Sequence, residues 1–189
     1  MQSYWEVIKP LFSIIEFGEG PESFANSIKS IPRSSVILFA AHMCISEVHN
    51  GGFLQLFWNN TGVLVPEGIE GFSTIGMPQM SAILSQAARQ LGTPYPRGRD
   101  DRWDTLLVAS GHSVNELEQI FGKHRDAADQ MKGLYLAFGE ATRNLGFDDM
   151  NKQLWESAKI ENGGFQEAAT RYAAAPHLIQ EQLSPSVYV

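Results

Sequence analysis

One apolar stretch, SSVILFAAHMCISEVHNGGFLQLFWNNTG at residues 34–62, decides the fold of this chain. Its periodicity predicts a helix from Ser34 to Val48, with apolar residues over most of the circumference. A helix that is apolar nearly all round is usually buried at the centre of a domain. No Lys or Arg occurs between Arg33 and Arg89, which also indicates a core here. We therefore expect this helix to be the centre of the fold.

Local signals mark both ends of the central helix. Residues 33–35, Arg-Ser-Ser, offer an N-terminal cap, because serine hydroxyls accept hydrogen bonds from the first free backbone N–H groups. Residues 50–52, Asn-Gly-Gly, are a strong breaker, and helical spacing restarts at Phe53. The same letters, Asn-Gly-Gly-Phe, return at residues 162–165. We interpret them as a turn-to-helix connection that the chain uses twice.

Helical spacing recurs along the rest of the chain, and no segment alternates convincingly as a strand would. Pro10 predicts a break near Lys9 in the first helix, and Pro78 fits the first turn of another. The remaining predicted segments are helices at Ser3–Phe17, Met77–Leu91 and Ser113–Phe121, helices marked by Met131–Phe138, Met150–Ala158 and Phe165–Tyr172, a brief strand or buried loop at Val63–Val65, and a polar loop at residues 93–102. The predicted fold is an all-α, irregular multi-helix array.

The chain length and the cysteine count favour one domain in a reducing compartment. We predict a single helical domain over residues 1–183 with a tail at 184–189. Cys44 is the one cysteine of the 189 residues, so no internal disulfide forms. The N-terminal sequence is not that of a signal peptide, and no apolar run reaches the ~18 residues of a membrane span. The expected location is the cytoplasm, without membrane contact.

The charge balance argues against direct binding to nucleic acid. The chain carries 21 acidic and 14 basic residues, a net charge of −7, whereas nucleic-acid binding requires a basic footprint. An acidic balance permits a basic protein partner, and it also simply keeps a protein in solution.

No motif for metal binding or catalysis stands out. The five histidines lack the tight spacings of a zinc site, and His42 and His49 alone are placed to share a helix face. Cys44 lies within the apolar helix, where it is expected to behave as a small hydrophobic residue. No nucleophile elbow and no phosphate-binding loop is present. We therefore predict no cofactor, no metal and no catalytic residue.

Polar residues, aromatic residues and glycines are dense between Glu47 and Gly62, and two interpretations of this segment are open. Either these residues form a pocket rim or recognition loop, since loops often carry function. Or the polar ones bond to helix ends, where backbone groups need partners. The candidates are Glu47, His49, Asn50, Gly51, Gly52, Phe53, Gln55, Trp58 and Asn59.

Carboxylates spaced three residues apart form the second candidate feature. On a helix such residues share a face, and rows of them imitate a phosphate backbone. The alternative is that acids collect in the first turns of helices to offset the macrodipole. Asp101 and Asp104 stand beside Arg97, Arg99 and Arg102, which we expect to neutralise them. The candidate partner-binding residues are Glu16, Glu19, Glu22, Glu67, Glu70, Asp148 and Asp149.

The pattern E-x-x-N-G-G-F-x-Q-x-F-x-N-x-x-G at residues 47–62 resembles the signature of a bacterial DNA-mimic protein family, formerly a domain of unknown function. His49 departs from that pattern, since the family often has Asn there. Looser matches are Met77-Pro78 with Ile83 and Ala87, then Arg99, Asp100 and Arg102, then Leu117, Ile120 and Phe121. The resemblance covers about residues 34–125, and the helical part at about 140–183 has no counterpart in it.

The resemblance implies an all-α fold, a homodimer, and an acidic surface presented to a DNA-binding regulator in place of DNA. Three functional hypotheses follow. The chain is an interaction domain that binds a basic DNA-binding protein, or a small-ligand binder or enzyme with a pocket around residues 47–62, or an immunity-type inhibitor of a toxin or nuclease.

Overall fold

The computed structural model describes residues 3–111 and 139–175, and this part of the chain is helical without a strand. The α-helices are α1 (Tyr4–Ile8), α2 (Pro21–Ser27), α3 (Arg33–Trp58), α4 (Val65–Thr74), α5 (Pro78–Arg89), α6 (Arg99–Ser110), α7 (Phe147–Ile160) and α8 (Phe165–Ala173). Residues 139–144 are helical too, and 3-10 turns occupy Lys9–Ser13, Asn60–Leu64 and Glu161–Gly163. The all-α prediction is confirmed.

Some predictions fall outside the described residues. They concern the helices at 113–121 and 131–138 and the tail at 184–189, and three of the five histidines, His112, His124 and His177, also lie there. Within the described ranges, no helix is both long enough and apolar enough to cross a membrane.

Helix α3 is the central helix, as its apolar circumference predicts. Buried residues run along both of its halves, from Ser35 to Val48 and from Phe53 to Phe57. It packs against α4, α6 and α7. The predicted serine cap is wrong: Pro32 occupies the N-cap position without a side-chain hydrogen bond. The preceding proline already fixes the backbone there, and Arg33, in the first turn, pairs with the carboxylates of Glu67 and Glu70.

The glycine pair divides α3 where the sequence predicts a break. Gly51 and Gly52 leave the helical conformation, and Gly52 has φ 72°, which favours glycine. The new helix start is capped from α7, because the backbone N–H of Phe53 donates to the Asn151 side-chain oxygen at 2.9 Å. The second Asn-Gly-Gly-Phe sequence repeats the device, with Gly164 at φ 92° directly before α8. Both phenylalanines that follow are buried.

Two segments differ from their predicted form. Residues 63–65 are neither strand nor loop; they close a 3-10 turn and begin α4, with Pro66 in the first turn of that helix. Residues 93–102 are only partly a loop, because α6 begins at Arg99 with two aspartates in its first turn. The predicted break near Lys9 is confirmed, since α1 ends at Ile8 and a 3-10 turn follows.

Glycines let α4 approach α3 closely. A Cβ built at Gly71 would overlap the carbonyl oxygen of Ile37, and one at Gly68 would lie 2.6 Å from the Cys44 sulfur. Cys44 is 1% exposed, and burial raises the pKa of its thiol. The expectation that it acts as a small hydrophobic residue agrees with this position.

We predict that Gly71→Ala lowers the free energy of unfolding by about 1–3 kcal/mol, because the added methyl group forces α3 and α4 apart. The matched control is Gly139→Ala, where a Cβ meets nothing within 4 Å. That change is expected to be neutral or stabilising by up to about 1 kcal/mol. Urea titration measures both, and equal effects of the two substitutions would contradict the close-packing argument.

Candidate functional site

A carboxylate network joins the two halves of α3. The Glu47 carboxylate accepts hydrogen bonds from Gln55 Nε2 at 2.7 Å, Asn59 Nδ2 at 3.0 Å and Thr61 Oγ1 at 2.7 Å. These contacts bridge the kink and hold the 3-10 turn after the helix. Glu47, Gln55 and Asn59 of the sequence pattern therefore bond to one another. The interpretation that these residues secure the fold is supported, although side chains rather than backbone groups are the partners of Glu47.

The last carbonyl groups of α3 bind arginines from α6. Arg102 Nε donates to the Phe57 carbonyl and Arg102 Nη2 to that of Asn59, both at 2.9 Å. The final carbonyls of a helix have no partner within it and carry partial negative charge, so a guanidinium suits this position. Arg102 is 1% exposed, and burial lowers its pKa. Gly62 makes room for it, since a Cβ there would lie 2.6 Å from Arg102 Nε.

The Trp58 carbonyl is capped in the same way. It accepts from Arg99 Nε at 3.0 Å and from the Trp103 indole N–H at 2.9 Å. The two tryptophan rings stack at 4.2 Å, and the Arg99 guanidinium lies 4.2 Å from the centre of the Trp103 ring. Trp58 is thus a packing residue of this junction.

Glu67 is buried, so its assignment to a partner-binding surface is wrong. It is 4% exposed, and its carboxylate accepts two hydrogen bonds from Arg97, at 2.9 and 3.0 Å. A buried carboxylate requires such pairing. Glu70 is more exposed but pairs with Arg33, so it is partly neutralised as well.

A cavity of about 240 Å³ separates this junction from the segment before α2. Phe17, Gly18, Gly20, Asp100 and the three arginines are among the residues that line it. In the sequence, Glu19 lies between Gly18 and Gly20, which both line the cavity. We name the exposed carboxylates on the two segments that contribute to this cavity, residues 16–22 and the first half of α6, the acidic rim: Glu16, Glu19, Glu22, Asp100, Asp101 and Asp104.

The expected ion pairs between these arginines and Asp101 or Asp104 do not form, although the Asp101 charge acts on Arg102 at longer range by raising its pKa against the effect of burial. Arg97 binds Glu67, and Arg102 binds carbonyl groups. Within residues 3–111 and 139–175, no ion pair reaches any rim carboxylate. Sequence reasoning therefore missed Asp100, Asp101 and Asp104 as rim residues, and no sequence signal shows that the neighbouring arginines point inward.

The other predicted acids lie elsewhere. Asp148 and Asp149 are exposed in the first turn of α7, where a negative charge also offsets the macrodipole. Asp149 is 4.0 Å from Lys152, and both side chains are largely exposed. Their part in partner binding stays a prediction.

The candidates of residues 47–62 do not surround one pocket. Phe53 is in the core, Glu47, Gln55 and Asn59 share the network, and Asn50 is exposed at the kink. Gly51 and Gly52 line a cavity of about 270 Å³ beside α7. His49 lines a separate groove of about 400 Å³ that also includes His42. Among the described residues, no group of three or more His, Cys, Asp or Glu is placed to hold a metal ion.

The described part of the chain is an all-α domain in which α6 binds the C-terminus of the central helix through Arg99 and Arg102 and exposes carboxylates at the surface. A family model described as DMP19-like protein matches residues 29–137, more than half of the chain. The chain belongs to the DMP19-like protein family, which confirms the resemblance to a DNA-mimic family. No curated protein and no solved structure matches it.

We predict that Arg102→Met destabilises the protein by roughly 3 kcal/mol or more, because it leaves buried carbonyl groups without partners. The control is Arg89→Met, since Arg89 is exposed at the end of α5. That change is expected to stay within about 0.5 kcal/mol of the parent. Thermal and urea unfolding measure both, and a mild effect at Arg102 would show that it does not hold the junction.

The histidines of the groove predict a pH dependence of stability. Burial lowers the pKa of His42, and burial followed by Lys159 lowers the pKa of His49, both from 6.5. The unfolded chain therefore binds protons more readily than the folded one, so stability falls as pH drops through 6.5. The double variant His42→Asn/His49→Asn should lose less stability than the parent between about pH 7 and pH 5. Equal losses of stability in the parent and in the double variant would refute the assignment of this pH dependence to His42 and His49.

Proposed function

We propose that this protein is an interaction domain whose acidic rim binds the basic surface of a DNA-binding protein in place of DNA. One observation carries the proposal: six exposed carboxylates lie on the two segments beside the α3–α6 junction without ion pairs to described residues, while Arg97 and Arg102 bind Glu67 and the end of α3. Membership of the DMP19-like protein family supports the same assignment.

The charge of the rim suits such a partner. DNA-binding proteins contact phosphates mainly through Lys and Arg, and these groups also pair with carboxylates. The six rim carboxylates outnumber the three arginines beside them, and Glu67 and the α3 C-terminus offset part of that positive charge. The surface field around the rim is therefore negative.

Helix stabilisation explains only some of these acids. Asp100 and Asp101 lie in the first turn of α6 and Glu22 in that of α2, where they offset the helix macrodipoles. Glu16 and Glu19 lie outside any α-helix. Both precede α2, and Glu16 accepts a hydrogen bond from Ser23 in its first turn, so that helix offsets part of their charge. No ion pair from a described residue reaches either carboxylate, and a basic partner supplies one.

Affinity capture from a lysate of the source cell tests the proposal, with duplex DNA as competitor. We expect a DNA-binding protein to be retained, to be displaced by DNA, and to bind roughly tenfold or more weakly at high salt, because exposed charges are screened over ~8 Å at physiological ionic strength. The variant Glu16→Gln/Glu19→Gln/Glu22→Gln should lose most of the capture. Its control, Glu6→Gln/Glu140→Gln/Glu156→Gln, removes three exposed acids elsewhere and should keep it.

Capture that is insensitive to salt and DNA, or equally reduced by both triple variants, would refute binding through the rim. Loss with Asp148→Asn/Asp149→Asn instead would move the interface to α7. Retention of a nuclease or toxin whose activity the protein blocks would favour the immunity-type alternative. A homodimer, which the family implies, stays a prediction that sedimentation of the same samples measures.

A further inference from the structure

The groove of about 400 Å³ lies away from the acidic rim, between α3, α7 and the start of α8. Its volume falls within the range of small-molecule sites, about 300–1,000 Å³. Tyr4 of α1 closes one end. Elements distant in sequence therefore combine to form a concave site that the proposed partner binding does not use.

Polar groups of α3 face this groove at helical intervals. His42, Ser46 and His49 are spaced four and three residues apart, so they share one side of the helix, and all three line the groove. His42 Nδ1 lies 3.3 Å from the Tyr4 hydroxyl, which fixes the ring. The imidazoles and the serine hydroxyl offer hydrogen bonds along the groove.

Helix α7 contributes an aromatic surface and a cation. The Trp155 ring lies 4.2 Å from that of His49, and Lys159 Nζ lies 4.6 Å from the centre of the same indole. Trp155 is 43% exposed, an unusual position for so large an apolar side chain. The part of the indole that His49 and Lys159 leave uncovered is open to a planar ligand that enters the groove.

The charged groups at the groove leave an excess of one positive charge in an acidic protein. Lys159 and Glu167 are the charged lining residues, and Arg171, 3.5 Å from Glu167, adds a second cation. The protein as a whole has a net charge of −7. A local excess of positive charge on such a chain favours an anionic ligand.

We propose that this groove binds a small planar carboxylate. The Lys159 ammonium and the His49 imidazole bind the carboxylate group, the Trp155 indole stacks on the planar body, and Ser46 and the Tyr4–His42 pair contact polar substituents. One ammonium beside two imidazoles matches a single negative charge. An arginine fork suited to a phosphate dianion is absent from the lining residues.

Titration of the full chain with three probes tests this site. Benzoate carries the charge and the ring, benzamide keeps the ring without the charge, and inorganic phosphate carries charge without a ring. Imidazole NMR signals of His42 and His49 report binding. We expect saturable shifts with benzoate, at least about tenfold weaker binding of benzamide and phosphate, and a similar loss for benzoate in Lys159→Met.

The control variant is Lys29→Met, which removes an exposed lysine that does not line the groove and should bind benzoate as the parent does. Circular dichroism and the rim-dependent capture should be unchanged in both variants, so this test is independent of the proposed partner binding. No saturable shift, equal binding of benzamide or phosphate, or unchanged benzoate binding in Lys159→Met would overturn the proposal.

Discussion

The buried guanidinium of Arg102 at the C-terminus of α3 is the interaction on which the rest of the site depends. Removing an ion of this kind from water costs several kcal/mol, and hydrogen bonds to the carbonyls of Phe57 and Asn59 offset that cost. Those carbonyls end a helix and would otherwise lack partners. Gly62 supplies the space. The position of α6 against α3 follows, because the bonds form only in one arrangement.

The same arrangement determines the charge of the surface. Arg97 binds Glu67 and Arg102 binds the helix end, so neither guanidinium forms an ion pair with Asp101 or Asp104. The Glu47 carboxylate also fixes this end of α3, because it accepts hydrogen bonds from Asn59 and Thr61 and so holds the turn that carries them. The guanidinium groups of Arg97 and Arg102 are therefore engaged in the interior, whereas the carboxylates of the acidic rim lie at the surface.

Local signals made the fold predictable, and tertiary pairing made the site hard to predict. The apolar circumference of α3, the break at Gly52 and the interruption at Pro10 depend on neighbouring residues, and each prediction is confirmed. Glu67 pairs with Arg97, which lies thirty residues further along the chain. A count of neighbouring charges in the sequence does not reveal such a pair. The groove is likewise invisible in the sequence, because His49 and Trp155 are more than a hundred residues apart.

Glu16 and Glu19 are the rim residues on which the proposed partner binding depends most, because they lie outside the α-helices. Like-charged groups near one another destabilise a compact state, and the N-terminus of α2, which both residues precede, offsets part of that repulsion. Glu16 accepts a hydrogen bond from Ser23, which orders the segment and keeps the carboxylate at the surface. No ion pair from a described residue reaches these two carboxylates, and this is why we propose a partner of opposite charge for them.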